Sequence, residues 1–305
     1  MKPQKTSLNS IREQLALQVM VVLGILWMFV FCYLPFSGLY IAFSDYRVSR
    51  GIYEAPFVGF KYFKEFLTDS AIPNVLYNTL GLSFLNLTIG FVCPILFALL
   101  LNEMTGNRYK RFVQTASYLP HFISWVVLGG MLISWSSEHG LFNEALQGLG
   151  LTKTPIFLLG QAKYFWGVSV ISNIWKEVGW GAIIYIAAIA GINPELYEVA
   201  HIEGANRFQR IWYITLPSIR GTIAILFTLS AAYLLNSNFN QIFVLYNALN
   251  SSRSMVLDMY TYRMGISLGR YSYATAVGLM QSAVALLLWI TSNSISRRLT
   301  GESLL

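Results

Sequence analysis

Six long apolar runs constrain this chain more than any other feature of its sequence. A helix needs about 20 mainly apolar residues to cross the roughly 30 Å hydrocarbon core of a bilayer. The runs at Leu17–Phe43 and at 78–101, 112–135, 165–192, 217–246 and 273–294 reach that length. Composition points the same way, with 55% hydrophobic and only 11% charged residues, where soluble domains carry about 25% charged. So few charges cannot coat a water-soluble body of 305 residues, and the high hydrophobicity excludes disorder. The expected fold class is an all-α polytopic membrane protein with six transmembrane helices. A cytoplasmic segment at 1–16, a transmembrane domain at 17–296 and a cytoplasmic tail at 297–305 are the expected layout.

The first run follows Lys2, Lys5 and Arg12 and so resembles a signal peptide. It is too long for that and lacks a small-residue cleavage pattern, which makes it a retained helix. Six spans put both termini on one side. With the N terminus inside, Lys2, Lys5, Arg12, Arg108, Lys110, Arg111, Arg207, Arg210, Arg220, Arg297 and Arg298 are cytoplasmic. Arg47, Arg50, Lys61, Lys64, Lys153, Lys163, Arg253, Arg263 and Arg270 are then outside. The inner segments are shorter and hold their charges next to the membrane, which favours N-in and C-in by the positive-inside rule. The net charge of +7 is accounted for by such loops, and no nucleic-acid partner is expected. Cys32 and Cys93 both sit in apolar runs and form neither a disulfide framework nor a metal pattern.

The most informative connection lies between spans four and five, at about 193–217. Asn193 is a good N-cap, Pro194 suits the first helical position, and Glu195 suits the positive end of a helix dipole. Gly204 reads as a helix stop or sharp bend, followed by a second amphipathic stretch at 207–214. The short helix has a small apolar face, Leu196, Val199 and Ala200, rimmed by Glu195, Glu198 and Glu203. It is read either as an interfacial helix on lipid headgroups or as a contact for a basic pocket on a cytoplasmic partner. Three acids in nine residues suit an anionic membrane surface poorly and a basic pocket well.

Glu198-Val199-Ala200, three residues, Gly204, nine residues and then Ile214-Thr215-Leu216-Pro217 resemble the EAA loop of ABC-importer permeases. That pattern is E-A-A, three residues, G, nine residues, I-x-L-P. Val199 replaces the usual second alanine, and Glu203 an aspartate common before the glycine. Ala42-Phe43-Ser44-Asp45-Tyr46 with Gly51-Ile52, Val58-Gly59-Phe60-Lys61-Tyr62-Phe63, Tyr260-Thr261-Tyr262-Arg263, Tyr271-Ser272-Tyr273-Ala274-Thr275-Ala276 and Gly301-Glu302-Ser303-Leu304 resemble the LplB-type branch, which serves complex carbohydrates. The resemblance implies a type I ABC importer permease fold and a multi-pass protein of the bacterial plasma membrane. It implies as partners a second, often non-identical permease, a cytoplasmic ATPase dimer and an extracellular solute-binding protein. It also implies that Glu198 meets a basic residue of the ATPase and that Gly204 permits the bend. Ala200, Glu203, Leu216 and Pro217 complete the expected coupling set.

The sequence has no G-x-x-x-x-G-K-[ST] phosphate loop, no H-E-x-x-H and no G-x-S-x-G, and His121, His139 and His201 are scattered. No intrinsic catalysis and no cofactor of its own are expected, ATP being bound by the partner. A self-contained secondary transporter needs an intramembrane acidic relay and usually an internal repeat, and neither is apparent. The EAA loop reports coupling and not cargo, so a permease for another solute, such as a phosphorylated polyol, stays open.

Polar residues inside the apolar runs are candidates for the cargo path. Span four carries Asn173, Trp175, Lys176, Glu177 and Trp180. Charges at membrane depth usually face a cavity or one another. Adjacent on a helix, Lys176 and Glu177 diverge by about 100°, which argues against a simple pair. The two are read either as interface residues or, with Trp175 or Trp180 stacking on a pyranose ring, as a polar lining. Span five carries Asn236, Ser237, Asn238, Asn240 and Gln241. On a continuous helix Asn236 lies about 28 Å from Pro217, in the outer part of the membrane. Amides donate to and accept from sugar hydroxyls, and they also join helices; a cluster this dense covers more than one face and serves both. Gln281 is a weaker candidate, while Gly278 and Ala285 read as helix-packing positions.

Overall fold

The computed structural model describes residues 15–49 and 51–300. Lys2, Lys5, Arg12, Arg50 and Gly301-Glu302-Ser303-Leu304 lie outside the described residues. Apart from one antiparallel bridge between Ser44 and Phe57, the regular structure described is helical. It divides into two compact units.

The first unit comprises 1–67 and 264–279. Its helix α1 (Leu15–Met28) continues through a π-helical turn (Phe29–Tyr33) and a 3-10 segment (Leu34–Phe43), giving one apolar helix over Leu17–Phe43. The winding tightens at Pro35, which lacks the N–H an α-helix uses. The most apolar part of this helix is buried by no other part of the chain, and its backbone bonds are satisfied within the helix, as a span in lipid requires. Beyond it the chain folds back: Val58 and Gly59 donate to the Phe43 carbonyl at 2.8 and 3.0 Å. The Phe43 ring packs on Phe60 and Phe63. In helix α2 (Lys61–Thr68) the Tyr62 hydroxyl donates to Asp45 at 2.6 Å. Burial, then the bond to this carboxylate, push the phenol up to about 12. From the other segment, Ser272 accepts from the Tyr46 N–H at 3.0 Å and Arg270 pairs with Glu65.

The second unit comprises 68–263 and 280–305. Helix α3 (Ile72–Leu85), a π-helical turn (Asn86–Gly90) and α4 (Phe91–Asn102) form one apolar helix over Ile72–Asn102. The widened turn directly precedes Pro94, whose ring clashes with a regular preceding turn. The expected span at 112–135 is not one helix. Helix α5 (Asn107–Tyr118) with a 3-10 turn (Leu119–Phe122) meets α6 (Trp125–Trp135) at 97°. Pro120 ends the first piece, and the Ser124 hydroxyl caps the second by accepting from the Val127 N–H at 3.3 Å. Helix α7 (Leu141–Gly148) follows, then α8 (Phe165–Ala190), unbroken for 26 residues. Gly179 lets α8 approach α5, because a Cβ there would overlap the Ser117 carbonyl.

After α8 the chain bends by 73° into α9 (Pro194–Ile202). Helix α10 (Arg207–Arg210), a π-helical turn (Ile211–Thr215) and α11 (Leu216–Ser218) lead at 64° into α12 (Arg220–Ala232). The span expected at 217–246 is therefore interrupted near Ile219 and again at 233–238, where helix gives way to turns before α13 (Phe239–Leu245). Asn236 thus does not stand on a helix running up from Pro217. Asn and Ser side chains compete for backbone groups and favour such breaks. Short helices α14 (Ser251–Ser254) and α15 (Leu257–Tyr262) precede α16 (Tyr271–Thr300). Among the described residues, three helices are long and apolar enough to cross a membrane, and three bent pairs raise this to as many as six.

Two apolar cores hold this unit together. One gathers Leu82, Trp125, Leu128, Phe165, Ile242 and Leu245; the other gathers Ile95, Ala98, Ala182, Tyr185, Ile189 and Ile219.

Candidate functional site

The connection after α8 folds as its residues dictate. The Asn193 side chain accepts from the Glu195 N–H at 3.1 Å, and Pro194 takes the first helical position. At the other end Gly204 has φ +76°, the left-handed region that favours glycine. Around it Ala205 donates to the Ala200 carbonyl at 2.8 Å and Gly204 to that of His201 at 3.1 Å, the paired bonds of a Schellman stop. Asn206 and Gln209 then cap α10 reciprocally.

This loop is fastened from beneath and open above. The Tyr197 hydroxyl lies 2.9 Å from that of Thr215, which is fully buried. Arg210 pairs with Glu103 at the end of α4, 3.8 Å away. Glu195, Glu198 and Glu203 are exposed, and beside them so are Val199, Ile202 and Phe208, the last two more than four-fifths. Ala200, Glu203 and Gly204 line a shallow cleft with Arg210 and Tyr213. Leu216 lies elsewhere, packed on the core around Ile219, and Pro217 opens α11.

A second feature is a cavity of about 480 Å³, within the range of small-molecule sites. It touches both cores, sharing Leu82 and Ile242 with one and Tyr185 with the other. Its polar lining includes Asn86, Asn173, Glu177, Asn236, Asn238 and Gln241, with Trp180 and Tyr233 as aromatic walls. Three amides form a chain across it: Asn238 donates to Asn173 at 3.3 Å, and Asn173 to Asn86 at 3.2 Å. Gln241 is 2% exposed, its amide donating to the Ser169 carbonyl at 2.7 Å and the Ser172 hydroxyl at 2.9 Å. It joins α13 to α8.

Lys176 and Glu177 do meet, Nζ lying 3.4 Å from Oε1. The break between α5 and α6 draws both side chains to one point, which their divergence on the helix does not convey. Lys176 donates to the carbonyls of Pro120 and His121 at 3.3 and 2.5 Å, groups left open where a helix stops. The other oxygen of Glu177 lies 2.7 Å from Nδ1 of His121, whose ring stacks on Trp180 at 4.3 Å. Asn240 lines a neighbouring cavity with Lys176 and His121 rather than the first one. Trp175, about half exposed, lines neither. Sequence reasoning missed Asn86, Tyr185 and Tyr233 at the first cavity, His121 at its neighbour, and Tyr197, Thr215, Glu103 and Arg210 beneath the loop. The Asn86 amide inside an apolar run was a readable signal.

The family model described as binding-protein-dependent transport system inner membrane component matches residues 90–301. The chain belongs to this family. It is 41% identical to Protein LplB of Bacillus subtilis (strain 168), over 94% of this chain and 90% of that protein. It is 38% identical to the polygalacturonan/rhamnogalacturonan transport system permease protein YteP of the same organism, over 99% and 94%. Among solved structures, one chain of a bacterial ABC transporter involved in the import of the acidic polysaccharide alginate matches with a TM-score of 0.88 at 38% identity. That match covers 96% of this chain and 98% of the other. This inner membrane component is thus a non-catalytic, multi-pass permease subunit of an ABC importer, coupled through its EAA-type loop to a cytoplasmic ATPase. Such an importer also comprises a second permease and a solute-binding protein.

Proposed function

We propose that this permease forms half of the path for oligosaccharides or polysaccharide fragments, and that the cavity at Asn173 and Asn238 is where the sugar passes. The carrying observation is the chain of amides Asn86–Asn173–Asn238 along a cavity walled by Trp180 and Tyr233. Amides match sugar hydroxyls as both donors and acceptors. Among the described residues, the one charged group in this lining, Glu177, is already engaged by His121 and Lys176. The carbohydrate named in the relatives' descriptions supports the same cargo class.

The chain crosses the membrane six times, three spans being bent pairs, with both termini cytoplasmic. The basic residues Arg108, Lys110 and Arg111 in the first turns of α5, with Arg207 and Arg210 in the loop, support this orientation. A segment at 1–16, a transmembrane domain at 17–296 and a tail at 297–305 follow from it. Glu198, with Ala200, Glu203 and Gly204, makes the ATPase contact, while Leu216 and Pro217 anchor the loop. The second permease is a non-identical paralogue.

Reconstitution tests this reading. The chain alone in liposomes gives no ATP hydrolysis and no concentrative uptake. With a second permease, an ATPase pair and a binding protein, it accumulates one of a panel comprising alginate, galacturonate, arabinose and malto-oligosaccharides. Uptake by the single chain overturns the subunit assignment, and transport of a non-sugar solute in place of the whole panel overturns the cargo.

A further inference from the structure

Asp258 carries a partly buried carboxyl group that neither the coupling loop nor the cavity lining includes. One oxygen accepts from the Ser237 N–H at 2.7 Å and the other from the Gln281 amide at 2.9 Å. Burial pushes the acid up, and the bonds from Gln281 and Ser237 pull it back. The same Gln281 nitrogen faces the Leu235 carbonyl at 3.0 Å and Asn236 Oδ1 at 2.9 Å. Three of these four contacts fall on the stretch 233–238, where the helix is interrupted before α13, and the fourth ties Gln281 to Asp258.

A non-helical backbone at membrane depth needs partners from elsewhere for its N–H and C=O groups. Asp258 and Gln281 supply them at Ser237 and Leu235. The stretch they fix is the one that brings Asn236, Ser237 and Asn238 to the cavity. An amide nitrogen has two hydrogens, and Gln281 faces three acceptors. Leu235 is buried and Asp258 partly buried, whereas Asn236 is exposed. Asn236 is therefore the acceptor that yields when a cargo hydroxyl arrives.

We infer that Asp258, acting through Ser237 and Gln281, is a positioning residue that sets where Asn236 and Asn238 stand in the cavity and thereby which sugar chains the importer selects. This rests on the cavity being the cargo path.

The test uses the complete importer in liposomes with saturating sugar-loaded binding protein, the probes being galacturonate and alginate oligosaccharides of three and five units. The readout is the ratio of trisaccharide to pentasaccharide uptake, which cancels the amount of complex. Asp258→Asn preserves size but leaves one acceptor for two donors, setting an NH₂ group against either the Ser237 N–H or the Gln281 amide. Gln281→Met removes the donor and serves if the first variant fails to assemble. Each should change the ratio at least fivefold, with basal ATP hydrolysis within twofold of the parent. An unchanged ratio with reduced overall uptake means that Asp258 only supports the fold, and overturns the inference. Asn236→Ala and Asn238→Ala separate the two levels. If they shift the ratio and the Asp258 and Gln281 variants do not, the positioning role falls alone; if none of the four shifts it, the cavity reading falls with it.

Discussion

The hydroxyl of Tyr197 lies 2.9 Å from that of Thr215, and this contact joins the exposed helix α9 to the buried base of the fifth span. Thr215 also donates to the Arg210 carbonyl, and Arg210 pairs with Glu103 of α4. The loop is thus bonded to the segment that leads into α12 and to the end of α4. A push on α9 should therefore pass through these bonds, and Tyr197 is the place to test it.

Tyr197→Phe removes the bond and keeps the ring. A net hydrogen bond is worth about 0.5–1.5 kcal/mol, so coupling should weaken about two- to tenfold while docking survives. Sugar transported per ATP hydrolysed, measured in liposomes, should fall. An unchanged ratio assigns Tyr197 to packing alone.

Glu198→Lys should abolish uptake and leave the protein inserted. Glu198 is exposed, so its reversal costs little stability. At a docking cleft the same change sets like charges together, which costs several kcal/mol. Gly204→Val should act through the backbone: φ is +76° and a Cβ there meets no atom within 4 Å, so strain and not crowding is the cause. ATPase co-purification and uptake are the measurements. A Glu198→Lys importer that keeps its ATPase and normal uptake would falsify the docking role.

The loop was legible because its signals are local: Asn193, Pro194 and Gly204 each state a backbone geometry, and the structure gives each that geometry. The apolar runs were legible by length alone. Their interruptions were not, since the run at 217–246 stays apolar across the 64° bend near Ile219 and only its amides hint at the second break. The stretches 42–46, 58–63 and 271–276, quoted separately from the sequence, meet in the first unit through Val58–Phe43, Tyr62–Asp45 and Ser272–Tyr46 bonds. Contacts across more than 200 residues, such as Tyr46 with Ser272, leave no local signal. The cavity was half legible: Asn173 and Asn238 were found, but the inward turn of Gln241 and the outward place of Trp175 depend on helix rotation.

Cysteine substitution should separate the two roles of the amides. In a background lacking Cys32 and Cys93, Asn236→Cys should react readily with a water-soluble maleimide, because Asn236 is exposed at the cavity. Asn238→Cys should react more slowly and be protected when sugar-loaded binding protein shifts the conformation. Gln241→Cys should stay unlabelled, being 2% exposed in the parent, and should lower stability by about 1–2 kcal/mol through loss of its interhelical bonds. Rapid labelling at Gln241→Cys, or none at Asn236→Cys, contradicts this geometry.

The last prediction is an asymmetry between neighbours. The side chain of Lys176 is 6% exposed and that of Glu177 is 37% exposed, although the two touch. Lys176→Met strips the donor from the carbonyls of Pro120 and His121 at the break in the third span. Each carbonyl left buried without a partner costs about 1–3 kcal/mol, and the 97° junction between α5 and α6 loses the side chain that pins it to α8. Glu177→Gln keeps an oxygen for Lys176 and loses mainly a half-exposed ion pair, worth about 0–1 kcal/mol. Thermal unfolding of the purified importer should therefore show a clear drop for Lys176→Met and little change for Glu177→Gln. Uptake should rank differently, because Glu177 lines the cavity and orients His121 beneath Trp180, whereas Lys176 lies outside that lining. Glu177→Gln should then impair transport in a stable protein. Equal losses of stability from both variants would show that the ion pair, and not the lysine's grip on the helix end, holds this junction.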